Sequence, residues 1–150
     1  RSLLSTHQGL KIITNNINIV NIVGNSKNCE VWVAGGKLRS ADNAIVGSLA
    51  SDFISNFKID YAIVGISAID KEGTLLDFDH EELMVTKAIY KQSRRKILIA
   101  DANKFDRKAP YVTGNIGDID IFVTDKMPDK NIINICEKNN VEIIISSNKN

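Results

Sequence analysis

The sequence predicts an α/β fold in which a mostly parallel sheet carries helices on both faces. Along the 150 residues, short apolar runs rich in Ile and Val alternate with longer stretches that have the period of a helix. This alternation is typical of parallel strands joined by crossover helices. No internal repeat and no Pro- or Ser-rich linker interrupts it. We therefore expect one compact domain.

Six strands are predicted from short β-branched runs that end at polar residues or at glycine. They cover residues 10–14, 30–34, 61–65, 96–100, 119–124 and 141–145. In a parallel sheet the carboxyl ends of the strands lie along one edge, and the crevice beyond that edge is where small ligands bind. Polar residues that directly follow these strands are therefore candidates for a binding site.

Four helices are predicted between the strands, at residues 18–23, 43–57, 79–92 and 129–139. In the second helix, Ile45, Leu49 and Phe53 recur at every fourth position and give one broad apolar face that would pack on the sheet. The third helix opens with Asp79, a good capping residue, and Glu82 three positions later completes a capping-box pattern. Helix stabilisation alone is enough to account for these two acidic residues.

Composition and charge exclude several classes of protein. The chain is 43% hydrophobic and 25% charged, as an ordinary globular protein is. Its 19 basic and 18 acidic residues leave a net charge of +1, which gives no large positive field to hold a nucleic acid backbone. No apolar run approaches the roughly 18 residues that cross a bilayer, and no secretory pattern opens the chain. We expect a cytoplasmic protein with no membrane partner.

Four strand ends carry residues that suit a polar ligand. The candidate residues are Thr14, Asn15, Gly35, Gly36, Lys37, Arg39, Gly65, Ser67, Asp101 and Lys104. Lysine and arginine provide cations for an anion, glycine lets backbone amides approach a ligand, and hydroxyl and carboxylate groups bind a ligand hydroxyl. From the two glycines alone, a tight turn with surface charges is the better account of Gly35 to Arg39. Asn16 beside the first strand end suits a helix cap as well as it suits a ligand.

Catalytic and metal-binding motifs are not evident. Ser67 lacks the G-x-S-x-G context of a nucleophile, and the H-E-E run at His80 lacks the second histidine of a metalloprotease motif. Cys29 and Cys136 stand alone, without C-x-x-C spacing, and are interpreted as buried reduced thiols. The sequence therefore predicts ligand binding without catalysis, and neither a metal nor a cofactor.

Five segments carry a resemblance to a known family: LKIITNNINIV, VWVAGGKLRS, DYAIVGISAID, GTLLDFDHEE and ADANKF. They resemble, in the same order, the carboxyl-terminal sensor domain of DeoR-type transcriptional repressors, and in particular the glycerol-3-phosphate branch of that family. The resemblance extends from about residue 10 to residue 124. By this resemblance, eight of the candidate residues fall in segments that line the effector pocket of the family: Thr14, Asn15, Gly35, Gly36, Gly65, Ser67, Asp101 and Lys104. Asn103 stands where many relatives have serine.

The resemblance implies a fold similar to ribose-5-phosphate isomerase and glucosamine-6-phosphate deaminase. It also implies a phosphorylated effector, glycerol 3-phosphate or a related metabolite, whose binding releases operator DNA from a homo-oligomer, commonly a tetramer. In the family, an amino-terminal helix-turn-helix binds the DNA. Residues 1–8 read as the end of a helix, so we expect that this helix-turn-helix, the first sensor strand and its Asp-x-Gly-Thr-Thr loop precede the given sequence.

Two other functions stay open at this stage. The first is a sugar-phosphate isomerase or deaminase on the same scaffold, with Asp70, Asp77 or Asp101 as the acid or base. The second is a purely structural oligomerisation module, for which an exposed apolar edge near residues 141–145 would be the sign.

Overall fold

The computed structural model describes residues 8–146 of the chain. The leading residues 1–7, interpreted above as part of a helix end, lie outside the described range, as do residues 147–150. The strands are β1 Leu10–Thr14, β2 Cys29–Val33, β3 Lys37–Arg39, β4 Ala44–Val46, β5 Ile59–Val64, β6 Ala68–Ile69, β7 Thr74–Asp77, β8 Ser93–Ile99, β9 Tyr111–Asn115, β10 Ile121–Thr124 and β11 Glu142–Ile145. The helices are α1 Ile17–Val23, α2 Ser48–Ile54, α3 His80–Gln92 and α4 Lys130–Lys138.

Parallel strands form the framework, which confirms the predicted α/β class. Strands β5, β8, β10 and β11 form one four-stranded parallel sheet, in the order β11-β10-β8-β5. Strands β1 and β2 form a separate parallel pair. All six predicted strands are present, with ends that differ from the prediction by no more than a few residues. They belong to two sheets, because no described backbone hydrogen bonds join β1 or β2 to β5.

The predicted helix at residues 43–57 is wrong at its start, because helix α2 begins only at Ser48. The residues before it form β4, which is fully buried and pairs with β3 in an antiparallel hairpin. Gly47 separates strand from helix with a φ of 93°, a left-handed conformation that an L-residue rarely adopts. The apolar period of the segment is therefore shared between a buried strand and a shorter helix.

A three-stranded antiparallel sheet, β6-β7-β9, is also absent from the prediction. Its turn at Asp70 is built by a side chain, since the Asp70 carboxylate accepts hydrogen bonds from the backbone amides of Glu72 and Thr74, both at 2.9 Å. Strand β6 has only two residues, so it is too short to show the alternating pattern by which a strand is recognised in a sequence. This sheet places the end of β7 beside the segment that follows β5.

Two apolar clusters form the core. The larger one packs the inner face of the four-stranded sheet, including Leu98 and Phe122, against Ile132 and Cys136 of α4. The smaller one joins α2 and α3 to Ala34 at the end of β2. Cys136 is fully buried, and this burial raises the pKa of its thiol, whereas Cys29 is only half-buried. The interpretation as a buried thiol therefore holds for Cys136 alone.

The opposite face of the four-stranded sheet carries exposed apolar side chains. Tyr61 and Ile63 of β5, Ile99 of β8 and Ile144 of β11 point to this face and are 40–60% exposed. Within residues 8–146, the predicted cover of helices is thus present on one face of this sheet only. None of the four helices in that range combines the length and the apolarity that crossing a membrane would require.

Candidate functional site

The ten predicted site residues lie in two clusters at the carboxyl ends of the parallel strands. The residues that end β1 or follow β1 and β2 form the hairpin cluster, which consists of Thr14, Asn15, Gly35, Gly36, Lys37 and Arg39. The residues that follow β5 and β8 form the sheet-end cluster, which consists of Gly65, Ser67, Asp101 and Lys104. Arg39 of the first cluster contacts Asp79 and Glu82 at the start of α3, and Ser67 of the second contacts Asp77 at the end of β7.

Thr14 and Asn15 hold the end of β1 against its neighbours. The Thr14 carbonyl accepts a hydrogen bond from the Ala34 amide at 2.9 Å, and the Thr14 hydroxyl accepts one from the Asn16 amide at 3.1 Å. The Asn15 side-chain amide donates to the Ile45 carbonyl at 3.0 Å. Asn16 caps α1, since its side chain accepts a hydrogen bond from the Asn18 amide. Much of the hydrogen-bonding capacity at this strand end is already used within the chain.

The two glycines after β2 differ in their surroundings. Gly36 has a φ of 143°, and a Cβ atom placed there would come within 3.2 Å of both the Ile45 side chain and the Val46 carbonyl. Its lack of a side chain is therefore needed for packing against β4. Gly35 is exposed, and a Cβ atom there would meet nothing within 4 Å. Both glycines are exposed, so only the tolerance for a side chain distinguishes them.

Arg39 is surrounded by carboxylates. One terminal nitrogen lies 2.8 Å from Asp79 Oδ2 and 2.7 Å from Glu82 Oε2. The other terminal nitrogen and Nε donate to the two oxygens of Asp42, at 2.6 and 3.0 Å. Hydrogen bonding to Asp42 and Glu82 raises the pKa of Arg39, and hydrogen bonding to Arg39 lowers the pKa of Asp42 and of Asp79. Every nitrogen of the guanidinium group thus has a carboxylate partner.

Lys37 is also paired, but more loosely. Its ammonium group lies 3.2 Å from Glu81 Oε2, and its side chain is 71% exposed. The ammonium group can therefore leave Glu81 at little cost. In contrast, an anionic ligand could bind Arg39 only by displacing a carboxylate. The assignment of both residues to effector binding stays a prediction.

The sheet-end cluster is built by two segments that run side by side. The Asp106 amide donates a hydrogen bond to the Ile69 carbonyl at 2.9 Å, which holds the segment after β8 against the segment after β5. Gly65 is exposed at the end of β5, and a Cβ atom there would lie 3.9 Å from the Ile99 carbonyl of β8. The polar residues after the two strands are neighbours for this reason.

A short 3-10 helix, Ala102–Lys104, carries the cation of this cluster. Asp101 caps it by accepting a hydrogen bond from the Asn103 amide at 2.9 Å, and Asp125 accepts one from the Ala102 amide at 2.7 Å. Lys104 is half-buried and has no ion-pair partner among residues 8–146. A cavity of about 200 Å³ opens beside this helix and is lined by Ala102, Phe105 and Met127 among others.

Asp77 joins the sheet-end cluster through Ser67. The Ser67 hydroxyl donates a hydrogen bond of 2.6 Å to Asp77 Oδ1, and Asp77 is only 2% exposed. Burial raises the pKa of Asp77 to about 6, although the Ser67 hydrogen bond opposes this shift. Glu82 raises the pKa of Asp77 further and Arg39 lowers it, so both clusters act on this carboxyl group.

Four acidic residues were not assigned to the binding site from the sequence, and one of them, Asp77, was considered only as a possible catalytic residue. They are Asp42, Asp77, Asp79 and Glu82. Asp79 does cap α3, since it accepts a hydrogen bond from the Glu81 amide at 2.8 Å, and it binds Arg39 with its other oxygen. Arg39 and Asp79 are 40 positions apart, so no local pattern reveals the pair. Within residues 8–146, no three His, Cys, Asp or Glu residues are arranged to hold a metal ion.

Comparisons with known proteins agree with the resemblance drawn from the sequence. The family model described as the DeoR C-terminal sensor domain matches residues 2–126. The chain is 37% identical over 140 residues to the glycerol-3-phosphate regulon repressor of Escherichia coli (strain K12), which covers 93% of this chain and 56% of the relative. It is 36% identical over 143 residues to the protein of the same name from Haemophilus influenzae, covering 95% of this chain and 55% of the relative.

A third relative has a different name. The chain is 33% identical over 145 residues to the HTH-type transcriptional repressor CsqR of Escherichia coli (strain K12), covering 97% of this chain and 55% of the relative. The chain thus spans little more than half the length of these curated relatives. All three relatives are repressors by name. The chain belongs to the family of DeoR C-terminal sensor domains.

Proposed function

We propose that this chain is the effector-binding part of a transcriptional repressor that senses glycerol 3-phosphate or a related phosphorylated metabolite. Effector binding changes the equilibrium between two arrangements of the repressor and releases operator DNA. Membership of the sensor-domain family and the names of the two relatives at 36–37% identity support this proposal. A repressor has to reach its operator DNA inside the cell, so the proposal includes a cytoplasmic location.

The observation that carries the proposal is Lys104. It stands at the carboxyl end of a parallel strand, where ligands of α/β proteins bind, and within residues 8–146 it has no carboxylate to neutralise it. The exposed backbone of Gly65 and the Ser67 hydroxyl lie at the end of the neighbouring strand. A phosphate on Lys104 with hydroxyl groups directed to Ser67 and Asp101 fits this arrangement.

The test uses the intact repressor and an operator fragment. Glycerol 3-phosphate should bind in calorimetry at micromolar to millimolar concentration and should release a labelled operator, measured by fluorescence anisotropy. Glycerol and inorganic phosphate serve as controls, because each carries only half of the recognised chemistry. A flat calorimetric trace together with unchanged operator binding at millimolar glycerol 3-phosphate would contradict the proposal.

Operator DNA is bound, in this proposal, by a helix-turn-helix outside the given sequence, and the assembly is a homo-oligomer, a tetramer by family resemblance. The net charge of +1 supports a separate DNA-binding part, because this chain has no strong positive field. Ile144 and Ile145, the exposed apolar residues at the end of β11, are compatible with association between subunits. Sedimentation equilibrium of the intact protein tests the tetramer, and a monomeric mass would remove it.

A sugar-phosphate isomerase or deaminase is the second candidate, and one observation favours it. Burial raises the pKa of Asp77 to about 6, which is suitable for a general base near neutral pH. The regulatory role of the named relatives favours binding without catalysis. A coupled assay with ribose 5-phosphate and glucosamine 6-phosphate separates the two functions, since turnover that is lost in Asp77→Asn would establish an enzyme.

A further inference from the structure

The hydrogen bond between Ser67 and Asp77 has a fixed direction. At neutral pH the Asp77 carboxyl is mostly ionised, and an ionised carboxylate can only accept hydrogen bonds. The single proton of the Ser67 hydroxyl is therefore committed to Asp77, at an oxygen–oxygen distance of 2.6 Å. The short distance is typical of a hydroxyl that donates to a charged acceptor.

Asp77 is held firmly in place. It ends β7, which is paired with β9 at Asp77 and Tyr111, and it is 2% exposed. Ser67 is half-buried, so a ligand at the strand ends reaches the serine oxygen and not the carboxylate behind it. Towards such a ligand, Ser67 presents only lone pairs.

Acidic groups outnumber cations in the group of charges that includes Asp77, Glu82 and Arg39. Glu82 disfavours the charge of Asp77, and Arg39, a cation that favours it, is already shared by Asp42, Asp79 and Glu82. A phosphate oxygen, which is itself an acceptor with negative charge, is repelled here. A hydroxyl or ammonium hydrogen is attracted.

We propose that Ser67 determines effector specificity as an acceptor-only group set by Asp77, and that it selects a hydrogen-bond donor such as a polyol hydroxyl while excluding phosphate from its side of the site. This inference rests on the proposed function and adds an orientation to it. The phosphate lies on the Lys104 side, and a hydroxyl of the same ligand donates to Ser67. Asp77 is a positioning residue, because it acts through Ser67.

Ligand analogues test the direction of the hydrogen bond on the unmodified intact protein. Glycerol 3-phosphate is compared with its two monofluoro analogues, in which one hydroxyl is replaced by fluorine, and with n-propyl phosphate. Fluorine removes the donor at nearly unchanged size. At least one fluoro analogue should bind about fivefold or more weakly than glycerol 3-phosphate, and n-propyl phosphate more weakly still. Equal affinity of glycerol 3-phosphate and both fluoro analogues would overturn the inference.

A serine variant tests which residue receives the hydrogen bond. Ser67→Ala should weaken glycerol 3-phosphate binding about fivefold and leave n-propyl phosphate unchanged, whereas Ser67→Thr, which keeps a hydroxyl, should retain the preference. Ser55→Ala removes an exposed hydroxyl that donates to the Asp52 carbonyl in α2, and it is the matched control. Equal losses for both ligands in Ser67→Ala would overturn the inference.

The two proposals fail in different ways. If glycerol 3-phosphate does not bind the unmodified protein at millimolar concentration, the proposed function fails and the specificity of Ser67 for this ligand fails with it. Glycerol 3-phosphate can instead bind the unmodified protein while Ser67→Ala prefers it over n-propyl phosphate by the same factor as the unmodified protein does. In that case only the inference about Ser67 fails.

Discussion

The hairpin cluster and the sheet-end cluster both carry cations at strand ends, but they use them differently. Arg39 of the hairpin cluster is bound by three carboxylates, of which Asp79 caps α3 and Glu82 lies in its first turn. Lys104 of the sheet-end cluster has no such partner in the described part of the chain. The difference teaches that a cation at a strand end is a ligand candidate only when its own chain leaves its charge uncompensated.

The same contrast separates the acidic residues. Asp42 and Asp79 have a lowered pKa because they hydrogen-bond to Arg39, whereas Asp77 has a raised pKa because it is buried. The hairpin cluster is thus a set of satisfied ion pairs that fastens β3 to α3. The sheet-end cluster holds a buried carboxylate at a cost in stability, which is common where a site is organised for binding.

The largest expected effect concerns Asp77. Because its folded pKa of about 6 lies above the ordinary value of 3.8, the folded protein binds more protons between these two values, and stability falls as the pH rises through them. The side chain at position 77 of the variant Asp77→Asn stays neutral at every pH. The free energy of unfolding of this variant, minus that of the unmodified protein, should therefore rise by up to about 3 kcal/mol between about pH 4 and about pH 7.

Urea unfolding over this pH range measures the difference. Asp60→Asn changes an aspartate whose side chain is 80% exposed and serves as the control. A difference between Asp77→Asn and the unmodified protein that does not change with pH would show that the folded state does not disfavour the Asp77 charge.

The next effect separates the two cations of the hairpin cluster. Arg39→Met should lower the free energy of unfolding by about 2 kcal/mol, because it leaves Asp79 and Glu82 without their partner. Lys37→Met should cost no more than about 0.5 kcal/mol, since that pair is largely exposed. Equal losses in urea unfolding would mean that Arg39 is not the residue that fastens β3 to α3.

A smaller effect separates the two glycines after β2. Gly36→Ala should destabilise the fold by about 1–2 kcal/mol, because its φ is positive and the new methyl group would crowd Ile45 and Val46. Gly35→Ala meets no close atom and should leave thermal stability nearly unchanged. The opposite order of melting temperatures would indicate that Gly35, and not Gly36, is the point of close packing.

Much of the fold could be predicted from the sequence because the signals are local. The β-branched runs gave all six parallel strands, and Asp79 marked the start of α3 correctly. The hairpin of β3 and β4 could not be predicted, because its apolar residues continue into the apolar period of α2. The antiparallel sheet was missed because its pairs join short segments that are distant in sequence, such as Leu75 and Gly114.

The positions of the strand ends were predictable from the sequence, but the balance of charges around them was not. Strand ends are visible in sequence, and a parallel sheet brings them to one edge. Two partners of Arg39, Asp79 and Glu82, are distant in sequence, and Asp79 is 40 positions away. Nothing in the local sequence from Arg39 to Asp42 reveals these two partners. The burial of Asp77 likewise depends on β9, whose pairing with β7 joins distant segments.

The measurement that tests the account most directly is the affinity of the intact protein for glycerol 3-phosphate in two lysine variants. Lys104→Ala should weaken binding about tenfold, because the phosphate loses its uncompensated cation, and it should leave thermal stability unchanged. Lys37→Ala, at the cation of the hairpin cluster that is already paired with Glu81, should reduce the affinity much less than Lys104→Ala does. Unchanged binding in Lys104→Ala together with a large loss in Lys37→Ala would contradict the account and place the phosphate at the hairpin cluster.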